Sequence, residues 1–121
     1  MPPRKPDPEG PARVAEVGAV LDKGEEPPQA ALRAAARYLL RVLERDAPGR
    51  SVEVRVVPVA AVQCVDGPRH TRGTPPNVIE TDAVTWFRLA TGRLKWAEAV
   101  ETGAVRASGA RADLSSYLPL T

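Results

Sequence analysis

The chain has one cysteine and one histidine in 121 residues, Cys64 and His70, and these two scarcities remove several kinds of chemistry. A lone cysteine makes no intrachain disulfide, and a Cys/His zinc site needs more ligands than one of each. No apolar run approaches the roughly 20 residues that span a bilayer. The first ten residues, MPPRKPDPEG, lack the apolar core of a signal peptide, so the expected location is cytoplasmic with no transmembrane segment. A net charge of +2, from 17 basic and 15 acidic residues, gives no large single-sign field and argues against a specific nucleic-acid partner. No paired carboxylates, Ser-His-Asp set, phosphate loop or metal-ligand cluster stands at recognisable spacing, so the expectation is a protein without enzymatic activity, cofactor or metal.

What is present is enough apolar sequence, 43% of residues, for one modest core and one domain. Residues 1–10 hold four of the 13 prolines among charged residues and read as a disordered tail. Residues 11–28 read as an N-terminal helix and linker, with Val14, Val17, Val20 and Leu21 on one face and Gly24 as the stop. The main domain then runs from 29 to 121. Its first element, residues 29–46, is a helix with Leu32, Ala35, Ala36, Leu39, Val42 and Leu43 along one side. Arg33, Arg37, Arg41 and Arg45 stand four apart on the opposite side. That stripe has two readings: a surface for anionic headgroups, or a solvated face whose arginine stems cover apolar atoms.

After Ala47-Pro48-Gly49, residues 51–57 alternate, with Val52, Val54 and Val56 on one side and Glu53 and Arg55 on the other. Residues 59–65 form a second run beyond Pro58, and the two should pair antiparallel. Cys64 would share a face with Val62, as a small apolar core residue rather than a nucleophile. Residues 66–77, DGPRHTRGTPPN, carry no secondary-structure period and are long for a plain connection. Arg69, His70 and Arg72 in this loop could converge on a carboxylate or phosphate, or could be solvated tips without a role. Residues 77–81 form the next strand.

The stretch from Glu80 to Gly109 holds both tryptophans and the only phenylalanine. Asp82 can cap a helix on which Val84, Trp86, Phe87, Leu89 and Ala90 recur, and Gly92 supplies the stop. A second short helix carries Leu94, Trp96, Ala97 and Val100 inward and ends at Gly103. A strand over 104–108 follows. Residues 112–118 then read as a closing helix with Leu114, Tyr117 and Leu118 inward and Pro119 as its stop.

An acidic residue before a Trp/Phe/Leu helix, then ATG, a helix ending in glycine, a short strand and SG resembles the sterol carrier family. The chain is most similar to small bacterial sterol-carrier orthologues of actinobacterial type, from about Gln29 to Leu120. Members of the wider family often carry Gly-Asp after that last strand, whereas this chain has Gly109-Ala110 and its next acid at Asp113. The resemblance implies a sterol-carrier-protein-2-like α+β fold, with a mainly antiparallel sheet of four or five strands and helices over one face. It also implies an apolar pocket between the layers for a fatty acyl chain or sterol. Placed on this sequence, the pocket residues would be Val54, Val56, Val62, Trp86, Leu89, Trp96, Val100, Leu114, Tyr117 and Leu118, with Arg69, His70 and Arg72 at a polar headgroup. Two functions remain open: noncatalytic lipid binding or carriage, and a stand-alone accessory module that keeps the fold but docks a partner protein.

Overall fold

In the computed structural model, which describes residues 7–67 and 77–121, glycine and proline punctuate the chain into four helices and four strands. Helix α1, Gly10–Asp22, starts with Pro11 in its first turn, where a missing N–H costs nothing. Helix α2 is Gln29–Asp46, followed by strands β1, Val52–Val57, and β2, Ala60–Cys64. Strand β3, Val78–Asp82, runs directly into helix α3, Ala83–Ala90. Helix α4, Trp96–Glu101, and strand β4, Arg106–Ser108, complete the series. Of the tail expected over 1–10, residues 1–6 lie outside the described residues. Asp7 to Gly10 form the entrance turn of α1, where the Asp7 carboxylate accepts a hydrogen bond from the Glu9 N–H at 3.1 Å.

The sheet order is β2-β1-β3-β4. The β1–β2 and β3–β4 pairs are antiparallel, whereas the central β1–β3 pair is parallel, with Val54 opposite Ile79. The sheet is thus mainly antiparallel, as expected, and mixed through this one parallel pair. Its cause is topological: after β2 the chain returns on the other side of β1, so β3 enters in the same direction as β1. The register puts Val52, Val54 and Val56 on one face with Val62, Cys64 and Ile79. Glu53, Arg55, Gln63 and Glu80 take the other, where Arg55 pairs with Glu53 and Arg106 with Glu80.

Helices α2 and α3 pack against each other and over the apolar face, while α1 lies outside them against α2. Leu39, Leu40 and Leu43 of α2 and Trp86, Phe87 and Leu89 of α3 are buried to 1% exposure or less. Each such side chain contributes about 1.5–3 kcal/mol by leaving water. The Trp86 indole N–H donates to the Ala36 carbonyl at 3.1 Å, so the largest core ring satisfies its polar atom and ties the two helices together.

Two expectations are corrected. Helix α4 turns Ala99 into the core and leaves Ala97 exposed and Val100 41% exposed, so neither Ala97 nor Val100 faces the sheet. Residues 112–118 do not form a helix. They hold a single turn, closed by the Tyr117 N–H on the Leu114 carbonyl at 2.9 Å, with the Asp113 carboxylate accepting from the Ser115 N–H at 2.7 Å. Pro119 prevents extension of the turn into a helix. The chain instead continues to α3, where the Leu120 N–H donates to the Ala90 carbonyl at 2.8 Å.

Candidate functional site

The layer between sheet and helices is built by period-two alternation on one side and helical spacing on the other. Val54, Val56 and Val62 rise from the sheet, Trp86 and Leu89 descend from α3, and Leu114 enters from the C-terminal segment. All six are buried to 6% exposure or less and belong to one apolar cluster. Trp96, Tyr117 and Leu118 are half-buried against that cluster, so they sit at its rim. Val100 stands apart, and Arg69, His70 and Arg72 lie outside the described residues. The structure adds Leu40 and Ile79 to the interior, beside Val52 and Phe87 of the expected apolar faces. The adjacent pair Leu39-Leu40 was the available signal for a helix buried on more than one side.

Among the hollows formed by described residues, three border this core. The largest, about 520 Å³, is lined by Val57, Glu80, Thr81, Asp82, Gly103, Ala104 and Arg106 at the ends of β1 and β3. A second, about 340 Å³, lies between the end of α2 and the β2 edge and includes Val62. A third, about 300 Å³, lies between the end of α1 and the α3–α4 turn. Val62 alone among the expected pocket residues touches any of these three.

Burial sets the state of Cys64. Cys64 is fully buried, and burial, then the nearby Glu44 charge, pushes its thiol up to about 11. It is a neutral core group at physiological pH, not a nucleophile. Arg93 holds Asp22 through a two-pronged contact, Nε to Oδ1 and Nη2 to Oδ2, both 2.9 Å. Hydrogen bonding to Arg93 keeps the Asp22 carboxyl below its ordinary range. On α2, Arg33 and Arg37 are exposed, Arg41 is half-buried, and Arg45 pairs with Asp46. Among the described residues no group of three or more His, Cys, Asp and Glu side chains could hold a metal ion. No helix among them is long and apolar enough to cross a membrane.

This arrangement, one apolar sheet face beneath α2 and α3 with the aromatic pair Trp86-Phe87 at its centre, coincides with a sequence match over residues 28–120 to the family described as bacterial SCP ortholog, SCP denoting sterol carrier protein. The chain belongs to that family. The match begins just before α2 and ends in the C-terminal segment, so the whole sheet and α2 to α4 fall inside the sterol carrier ortholog region, and α1 falls outside it. No curated protein matches the chain.

Proposed function

We propose that the chain is a noncatalytic binder or carrier of a lipid-like apolar molecule, fatty acyl or sterol-like, held between the sheet and helices α2 and α3. The observation that carries this reading is the unbroken apolar interface of Val54, Val56, Val62, Ile79, Trp86 and Leu89 in a chain of the sterol carrier ortholog family. An apolar guest between these layers would gain roughly 25 cal/mol for each Å² of apolar surface removed from water. Because these side chains are buried, admission of a guest requires the layers to part, and Trp96, Tyr117 and Leu118 form the half-buried rim of the cluster. Arg69, His70 and Arg72 belong to this reading as headgroup contacts on their side-chain chemistry alone.

The test is native mass spectrometry of gently purified protein, followed by organic extraction of whatever is bound. A stoichiometric apolar adduct released on denaturation is the expected result. A clean mass together with no uptake from a mixed panel of fatty acids and sterols would overturn it. A second reading, an accessory module that docks a partner protein, is favoured by one observation: Arg33 and Arg37 stand exposed on α2, with no side-chain partner among the described residues.

A further inference from the structure

The hollow between the end of α1 and the α3–α4 turn is lined by Leu21, Asp22, Arg88, Arg93 and Leu94. It sets two guanidinium groups beside two leucines, the combination that suits the head and first carbons of an anionic amphiphile. Arg88 is exposed and its side chain has no partner among the described residues. Arg93 is held from three sides. The turn after α3 fixes its backbone, with the Arg93 N–H on the Arg88 carbonyl at 2.8 Å and Gly92 at φ +78°. Its guanidinium carbon lies 5.7 Å from the centroid of the Phe87 ring. On the α1 side it rests against Gly18, where an added Cβ would come within 2.5 Å of Nη2.

The fork that results is filled by a carboxylate. That carboxylate is Asp22, 62% exposed, supplied by the helix outside the family-matched region. An ion pair so exposed holds weakly, yet its tether gives it a high effective concentration, so a small free carboxylate competes poorly. A carboxylate with an attached alkyl chain differs, because it also buries apolar surface against Leu21 and Leu94.

We propose that this hollow is a headgroup site for a carboxylate-bearing amphiphile of fatty-acid type. Arg93 takes the ligand carboxylate in its two-pronged fork, Arg88 supplies a second cation, and Asp22 is the intramolecular stand-in that the ligand displaces. The proposal rests on the lipid-carrier reading and deepens it by naming the polar end of the ligand. It is an alternative to the headgroup contacts proposed above for Arg69, His70 and Arg72.

The experiment titrates the full chain with decanoate, decanol and acetate, following the Arg93 side-chain N–H signal by NMR and affinity by calorimetry. It uses the wild type, Asp22→Asn, Arg93→Gln and Arg72→Ala. Removing the stand-in in Asp22→Asn should tighten decanoate about fivefold and leave decanol unchanged, a gain that a loosened fold would not confine to the anion. Arg93→Gln should weaken decanoate about tenfold, again without moving decanol. Acetate should leave the Arg93 signal in place. An unchanged decanoate-to-decanol ratio in both variants, with decanol still bound, overturns the headgroup site and leaves the carrier reading standing. Loss of the ratio in Arg72→Ala alone moves the headgroup to the loop and likewise overturns it. Acetate binding as tightly as decanoate overturns the amphiphile assignment. Failure of every amphiphile with every protein overturns both readings.

Discussion

Cys64 lies at the end of β2 opposite Val52, fully buried, with a thiol whose proton is held to about 11. In folded protein at pH 8 its alkylation by iodoacetamide should run at least about a hundredfold slower than in urea, since the thiolate is the reacting species. Comparable rates in both conditions would mean that the β2 end opens readily. The assignment of Cys64 to the core was legible, because the alternation of residues 59–65 sets it on the Val62 face. Val100 was misplaced for a reason visible at the same scale. On a helix of six residues, a face shifted by one position exchanges Ala99 for Val100, and the sequence favours the larger side chain where the packing accepts the smaller.

At the scale of elements, α3 was the most legible part of the chain. Asp82 caps it through its carboxylate, which accepts from the Thr85 N–H at 2.8 Å, and Gly92 ends it in the left-handed region. Both features follow from local chemistry that needs no tertiary partner. Asp82→Ala should cost about 1 kcal/mol in urea denaturation. Gly92→Ala should cost about 1–2 kcal/mol. The added methyl would meet only Pro119, at an ordinary 3.5 Å, so this second loss is conformational rather than steric. A Gly92→Asn variant should recover part of it, because asparagine tolerates that backbone. The C-terminal segment was less legible. Its apolar spacing fits a helix, but Ala112 and Leu114 serve as separate buried anchors on either side of the Asp113 turn, and the chain end bonds to α3.

Across the whole molecule, one-sided layering was readable from the alternation in β1, while the parallel β1–β3 pairing was not. Period two gives the face of a strand but not its neighbour, and the neighbour is decided by where the chain returns after β2. The attachment of α1 is likewise a tertiary property, made by Val17, buried to 1%, and by the Asp22–Arg93 contact. That contact adds a small acid dependence. Asp22 is held below its ordinary value by the Arg93 hydrogen bond, and Asp113 by hydrogen bonds from Ser115. Their contributions are complete above the unfolded carboxyl value and are lost as pH falls through the lower folded values. Thermal midpoints should therefore hold steady above about pH 4 on this account and fall below it. Asp22→Asn should make the acid fall shallower; an identical fall in both proteins would mean that the contact adds nothing to global stability.

The two neighbours of β1 also impose an order on assembly. Val54 meets Val62 across a tight hairpin and Ile79 only after the long return of the chain. Local pairs close in microseconds, whereas pairs distant in sequence wait on loop closure, so β1 and β2 should form early and β3 should dock late. Until it does, the valine-rich β1 presents an unpaired edge, and crowding during refolding should divert chains into intermolecular pairing at that strand.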